Sequence, residues 1–299
     1  MKIVRDWLFI ILFFSNIPAS AGSNGVAFGG FESKPEKGQI SFSNPGYEIS
    51  HILKDGAPFI KPEMEGAGSK SEPGQPDLPT MSTYYAVEPG KIFTINASIK
   101  ESEVIENVEV VPFETWNSQP TGVIEKGVTY QQSSSFPANI ATVSDPMVFR
   151  DIVMVQVSVT PFQYNPVSKT LTVIQEIDLE LVESGATEVP YIPQQKSREF
   201  EILYESLVVN YPSTIREGEE VYQRPSILYV LPNNIGNLLG TVEELMNWKK
   251  RVGFDVQYVS TSNIVNNRNN LKNYIEDAYE TWENPPVHVT IVGDVDGSY

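Results

Sequence analysis

The sequence predicts a mixed fold in two parts, an all-β, antiparallel, sandwich-like domain followed by the start of a doubly wound α/β sheet. Residues Ile152–Pro161 alternate, and the valines of this stretch fall on one face, as in a half-buried antiparallel strand. Residues Ile227–Leu231 are apolar without alternation, as in a parallel strand that is buried on both faces. A helical pattern, a strand, a second helical pattern and a third strand follow in that order, which indicates a parallel sheet.

The N-terminus has the pattern of a cleavable export signal over residues 1–21. Lys2 and Arg5 form a short positive region, and Trp7–Phe14 is a nearly continuous apolar run. Small residues precede the expected cleavage after Ala21. The apolar run is shorter than the roughly 20 residues that a spanning helix needs. We therefore expect a protein that is secreted or displayed at the cell surface, with no membrane contact after signal cleavage.

Composition divides the remaining chain into four segments. Residues 22–80 are predicted to form a Pro/Gly-rich arm, because Glu65–Pro79 cannot hold a long helix or a central strand. Residues 81–182 form the β-rich domain, with further β-prone stretches at Tyr84–Val87, Ile92–Ile99, Glu103–Val111 and Leu171–Val182. Residues 183–224 form a linker that prolines interrupt, with a short amphipathic helix at Glu199–Val208. Residues 225–299 hold the α/β part.

Within the α/β part, the first predicted helix ends at about Arg251, and Gly253 supplies its stop. Phe254–Val259 is the second strand, and Val287–Val292 is a third strand that we expect to be buried like the first. Between them, a second helix carries one apolar face, formed by Leu271, Tyr274, Ile275, Ala278 and Trp282.

Charge and composition exclude several classes of function. The 299 residues carry a formal net charge of −17, which argues against nucleic acid and against an anionic membrane surface as partners. The sequence has no cysteine, so it has neither disulfides nor a thiolate for catalysis or zinc binding. The folded state therefore depends on the apolar core of each part.

Several segments resemble gingipain-type cysteine peptidases and their propeptides. Gly74–Pro79 and Phe149–Leu171, which includes the run Pro161–Pro166, resemble an early and a late segment of the propeptide. The opening of the catalytic domain is similar to four stretches of the α/β part, Ser226–Val230, Leu245–Val256, Leu271–Tyr279 and Val289–Asp296. The resemblance covers nearly the whole chain after the signal.

The resemblance implies a caspase-like α/β domain with a Cys–His dyad, and a propeptide that keeps the enzyme latent and assists its folding. In the family both catalytic residues follow the segment that resembles Val289–Asp296, so they are expected beyond Tyr299 and no catalytic residue is assigned here. The implied partners are the chain's own downstream peptidase domain and protein or peptide substrates. Alone, this chain is expected to be inactive.

The residues also identify candidate metal and processing sites. Asp294 and Asp296 follow the third strand, where two carboxylates can bind a hard cation such as calcium or can cap the next turn. His288 lies within the third strand, which favours a structural role. Arg216 is the preferred maturation site in the linker, because the other late basic residue, Arg224, precedes Pro225.

A basic propeptide residue in the specificity pocket is implied for the Arg- and Lys-specific members of the family. Upstream of the late propeptide segment, the stretch 129–148 contains no Lys or Arg, and the nearest basic residues are Lys126 and Arg150. Arg150, with Asp151 beside it, suits either a salt bridge or a contact to the peptidase domain. Either Lys126 fills the pocket or the parent enzyme does not prefer basic residues, and the second alternative is favoured.

Two other functions stay open at this point. The chain could be a secreted binding or structural protein with a truncated α/β remnant, or the front of an unrelated α/β hydrolase. A Gly-x-Ser-x-Gly elbow downstream would favour the hydrolase, and a His-Gly segment followed by a Cys would favour the peptidase.

Overall fold

The structure is a computed structural model in which a β domain precedes an α/β unit. It describes residues 29–54, 56–114, 125–188, 195–211, 222–233, 235–236, 239–264 and 267–293. No helix among these residues combines the length and the apolar character needed to cross a membrane.

In the part of the chain that the structure describes, the β domain contains two antiparallel sheets of five strands and one separate hairpin. In the first sheet, β1 (Phe31–Ser33), β2 (Gln39–Ser43), β12 (Thr170–Ala186) and β11 (Phe162–Asn165) are neighbours in that order, and β7 (Lys91–Ile105) also pairs with β12. In the second, the order is β5 (Gly68–Ser69), β6 (Pro79–Val87), β10 (Ile152–Val159) and β8 (Ala141–Val143), and β9 (Met147–Phe149) also pairs with β10. The hairpin joins β3 (Glu48–Lys54) to β4 (Ala57–Glu63).

One apolar core lies between the two sheets, as in a sandwich. The valine alternation predicted for β10 is present, because Val155, Val157 and Val159 are buried in this core. From the other sheet, the core receives buried residues of β12, namely Leu171, Val173, Ile177 and Leu179. The antiparallel character of the domain follows from this alternation, which places one face of each strand against apolar side chains.

The segment predicted as an arm contributes to the sandwich instead. Ile40 and Phe42 of β2 are fully buried and pair with Leu179 and Ile177 of β12. The structure therefore places strands within residues 22–80, and the β domain begins well before residue 81. Pro and Gly prevent long helices and strands but not short ones. The five alternating residues of β2 are enough to place two apolar side chains in the core.

The predicted linker also begins later than expected. Strand β12 extends to Ala186, and helix α1 (Arg198–Leu207) packs on the β domain. Its Tyr204 belongs to a second small core with Met154, Val208 and Tyr211. Asn210 then bonds both backbone groups of Ala86 through its side-chain amide. Residues 198–211 are thus part of the β domain.

Among the described residues, the α/β unit has a three-stranded parallel sheet with one helix on each face. Strand β13 (Ser226–Leu231) lies between β14 (Asp255–Ser260) and β15 (His288–Ile291). Helix α2 (Leu239–Arg251) packs on one face through Met246, and helix α3 (Arg268–Thr281) packs on the other through Ala278. The predicted apolar face of α3 is confirmed. The predicted burial of the third strand is wrong, because β15 is an edge strand with Ile291 61% exposed.

Candidate functional site at the junction of the two units

Four of the predicted site residues lie outside the described residues. These are Ala21, Arg216, Asp294 and Asp296, so the structure does not test the cleavage, processing and calcium sites proposed for them. Within the described residues, no group of three or more His, Asp and Glu side chains could hold a metal ion.

Lys126 is engaged within the β domain. Its ammonium group forms an ion pair with Glu109, which also pairs with Lys169 at 3.2 Å. The same ammonium lies 5.2 Å from the ring centroid of Phe59 and 5.6 Å from that of Tyr130. These contacts hold the Lys126 ammonium group against Glu109 and the rings of Phe59 and Tyr130, although the Lys126 side chain stays 38% exposed.

Arg150 and Asp151 form the two-residue turn between β9 and β10, since Phe149 pairs directly with Ile152. Arg150 has a backbone φ of 56°, in the left-handed region where hairpin turns favour Gly or Asn. For a long side chain this conformation costs about 1 kcal/mol. The residue is nevertheless buried, with 9% of its surface exposed. A strained, buried arginine in a turn indicates that its side-chain contacts offset the backbone cost.

The Arg150 guanidinium contacts both units of the chain. It lies 4.9 Å from the Phe200 ring of α1 and 5.7 Å from the Tyr279 ring of α3. Its Nη2 donates a hydrogen bond to Oε1 of Gln223, just before β13. Arg150 therefore links the β domain to the α/β unit through its hydrogen bond to Gln223 and its contact with the Tyr279 ring.

Gln223 extends this link into the α/β unit. Its Nε2 donates to the carbonyl oxygen of Pro285 at 3.1 Å. The same carbonyl accepts a 2.6 Å hydrogen bond from Oγ of Ser226, the first residue of β13. The backbone N–H of Val287, just before β15, donates to Ser226 Oγ at 3.0 Å. The Arg150 contact is thereby connected to the beginning of two parallel strands.

Asp151 is the acidic member of the junction. Its Oδ1 accepts a hydrogen bond from the Tyr204 hydroxyl and lies 3.9 Å from Arg150 Nε. Burial raises the pKa of the Asp151 carboxyl above its usual value, and this effect outweighs the opposing effects of the Tyr204 hydrogen bond and of the nearby Arg150 and Lys196 charges. The carboxylate is therefore held in place at a cost in desolvation.

We expect Asp151→Asn to change how stability depends on pH. Because the folded-state pKa is raised, the wild-type chain loses stability as pH rises from the unfolded-state value, about 3.9, through the folded-state value. The asparagine variant lacks this loss but still offers an oxygen to Tyr204. Urea unfolding at acidic and neutral pH should show that the free energy of unfolding of Asp151→Asn increases relative to that of the wild type as pH rises. A difference between the two proteins that does not vary with pH would contradict this assignment.

The contacts between the two units lie at the amino ends of the parallel strands. Ser226 opens β13, and Pro285 and Val287 precede β15. Ligands and catalysis in open α/β sheets occur at the opposite edge, outside the carboxyl ends of the strands. At that edge a cavity of about 430 Å³ is lined by residues that include Leu231, Tyr258 and Ser260. Arg150 therefore anchors the two units to each other at the amino ends of the parallel strands. The expected catalytic cleft lies at their carboxyl ends.

The sequence predicts Asp151 as a partner of Arg150 but does not indicate Phe200, Gln223 or Tyr279. Phe200 and Tyr204 are four residues apart, so they share one face of α1, and this aromatic spacing could have marked the buried side of the helix. Gln223 carried no signal, because it lies in a short connection without periodicity.

The comparisons with known proteins divide the chain at this junction. Residues 33–227 match the family model Propeptide_C25, and residues 221–299 match Peptidase family C25. Arg150 lies within the first match and Tyr279 within the second, so the junction joins the two family regions.

Similar proteins come from Porphyromonas gingivalis. Gingipain R2 is 27% identical over 240 residues, covering 75% of this chain and 31% of the relative. Lys-gingipain is 22% identical over 279 residues, covering 86% of this chain and 16% of the relative. The chain thus spans less than a third of the length of these curated relatives. The solved "Complex of Porphyromonas gingivalis RgpB pro- and mature domains" matches with 26% identity and a TM-score of 0.52, covering 62% of this chain and 98% of that chain.

Proposed function

The chain belongs to peptidase family C25 as a gingipain-type precursor that carries its propeptide, and from this membership we propose that the β domain holds a downstream cysteine peptidase domain in a latent state. The observation that carries the proposal is the match of residues 33–227 to the propeptide model and of residues 221–299 to the peptidase model, with the Arg150 junction packing one region on the other. The solved structure of pro- and mature domains in complex supports such an association.

The peptidase activity would come from residues that this sequence does not contain. With no cysteine, the sequence supplies no thiolate, and of its two histidines His288 lies on the edge strand β15. We propose a caspase-like catalytic domain with a Cys–His dyad, acting on protein or peptide substrates, whose first three strands are β13, β14 and β15. The match to Peptidase family C25 speaks against the unrelated hydrolase and against a purely structural protein.

Export and maturation remain part of the proposal. Residues 1–21 have the pattern of a signal with cleavage after Ala21, so we propose secretion or surface display. A maturation cut at Arg216 is supported by its neighbours, since Tyr211 is packed on the β domain and Gln223 bonds the α/β unit. A cut between them would break the chain that connects the two units and leave both cores intact. Calcium binding by Asp294 and Asp296 stays a proposal for the residues that follow β15 in the sequence.

We also propose that the parent enzyme does not require a basic residue in its specificity pocket. The Lys126 ammonium is paired with Glu109 and lies over two aromatic rings, so moving it into a pocket would break these contacts. Arg150 is buried at the edge of the sheet away from the expected cleft. Burying an unpaired cation in a pocket without a carboxylate would be costly.

The full-length precursor tests the proposed latency. With the recognition sequence of an unrelated protease placed within residues 212–221, we expect little peptidase activity before cutting. Activity should rise at least about tenfold once the propeptide is cut and removed, equivalent to about 1.4 kcal/mol of inhibition. Equal activity before cutting and after removal would contradict the proposed latency.

The same assay separates the two alternatives for Lys126. Lys126→Gln is compared with Lys169→Gln, because both lysines pair with Glu109. We expect both variants to stay as latent as the wild type. Loss of latency in Lys126→Gln alone would show that Lys126 occupies the specificity pocket.

A further inference from the structure

The β domain holds residues 222 and 223 by their backbone, and these residues lie where the propeptide and peptidase matches overlap. The N–H of Gln223 donates to the carbonyl oxygen of Lys196 at 2.8 Å, and Lys196 and Tyr222 form a parallel β-bridge. Lys196 lies just before α1, which is packed on the β domain. The two residues after the 212–221 stretch are therefore fixed in register against the propeptide.

The first turns of α1 recognise the Tyr222 side chain. The Arg198 guanidinium lies 4.8 Å from the centroid of the Tyr222 ring. The Tyr222 hydroxyl donates a hydrogen bond to Oε1 of Glu201, one turn further along the helix. A cation over the ring and a carboxylate at the hydroxyl together suit a tyrosine better than any other side chain.

Gln223 is recognised from its other side by Arg150. The glutamine is 5% exposed, and its amide lies between a donor of the propeptide and an acceptor of the peptidase region. A neutral amide is the group that can accept from Arg150 and donate to the Pro285 carbonyl at the same time. A lysine at this position would place a second cation beside Arg150.

We propose that Lys196, Arg198, Glu201 and Arg150 form a recognition site on the propeptide for an extended Tyr-Gln segment at the start of the peptidase domain. This site, called the clasp here, rests on the proposed function and adds to it. The clasp lies away from the carboxyl ends of the parallel strands, so it retains the propeptide whether or not the catalytic cleft is filled. Cutting the chain between Tyr211 and Tyr222 breaks none of its contacts, and release requires the clasp to open.

The precursor with an inserted cleavage site in 212–221 tests the clasp. After cutting, we expect the wild-type N-terminal fragment to co-elute with the peptidase on size exclusion. Gln223→Lys and Tyr222→Phe should raise its dissociation rate, by at least about tenfold for the lysine variant, on the scale of an interface hot spot. Gln257→Lys is the matched control, because Gln257 is exposed on β14 of the same unit and its substitution should leave retention unchanged.

A second pair of variants guards against misfolding of the peptidase region. Arg198→Ala and Glu201→Gln change only the propeptide, and Arg198 is exposed, so both should fold and release the cut fragment faster. Unchanged dissociation in all four clasp variants would overturn the clasp, as would immediate release of the wild-type fragment. The activity of the uncut precursor is read separately and bears only on latency, so failure of the clasp and failure of the proposed function are distinguishable.

Discussion

Arg150→Ala is expected to lower the free energy of unfolding of the chain by roughly 3 kcal/mol. The substitution leaves the buried Gln223 oxygen without its Arg150 donor and removes a positive charge from beside the buried Asp151 carboxylate. It also removes the guanidinium from the rings of Phe200 and Tyr279. Urea unfolding followed by circular dichroism measures the change.

Glycine separates the side-chain contacts of Arg150 from its backbone strain. Arg150→Gly loses the same contacts but adopts a φ of 56° without strain, so it should be about 1 kcal/mol less destabilising than Arg150→Ala. Lys169 provides the control, because it has a φ of 55° and an exposed ion pair. Lys169→Ala should lower the free energy of unfolding by at most about 1 kcal/mol, because the backbone strain is the same for lysine and alanine. An Arg150→Ala cost no larger than that of Lys169→Ala would contradict the anchoring role.

Periodicity predicted the faces of the elements well. The valines of β10 and the apolar side of α3 follow directly from a period of two and of 3.6, because each face packs on the nearest apolar surface. The exposure of β15 could not be predicted, since an apolar strand looks the same at the edge of a sheet and at its centre.

The early strands were missed for a different reason. The abundance of Pro and Gly in residues 22–80 predicts an extended, turn-rich arm rather than strands of the core. Strand β2 needs only five residues to place Ile40 and Phe42 in the core. The alternation Gln39–Ser43 was present in the sequence and outweighs the composition of its surroundings.

The junction itself is beyond local sequence patterns. Arg150 meets Gln223 across 73 residues, and Asp151 meets Tyr204 across 53. Periodicity tells which side of an element is buried but not which other element covers it. The one local signal was the charged pair Arg150-Asp151 in a turn; in the structure Arg150 Nε lies 3.9 Å from Asp151 Oδ1 and the guanidinium lies 5.7 Å from the Tyr279 ring.

Tyr204→Ala is expected to cost roughly 4 kcal/mol, the second large effect. The ring is 1% exposed and packs against the rings of Phe149 and Tyr211, at centroid distances of 5.7 and 5.2 Å. Its loss leaves a cavity between α1 and the β domain. Because α1 also carries Arg198 and Glu201, we expect the cut propeptide of this variant to leave the peptidase faster as well.

Tyr204→Phe isolates the hydrogen bond to Asp151. A hydrogen bond to a buried carboxylate contributes roughly 1.5–3 kcal/mol, whereas a neutral one contributes about 1 kcal/mol. Tyr85 is the matched control, since its buried hydroxyl accepts a hydrogen bond from the backbone N–H of Gly38, at 2.8 Å. Tyr204→Phe should therefore be more destabilising than Tyr85→Phe at neutral pH. In the Asp151→Asn background the cost of Tyr204→Phe should fall to that of a neutral hydrogen bond, and a double-mutant cycle measures the coupling. An equal cost in both backgrounds would show that the Asp151 charge does not contribute to holding α1 against the turn.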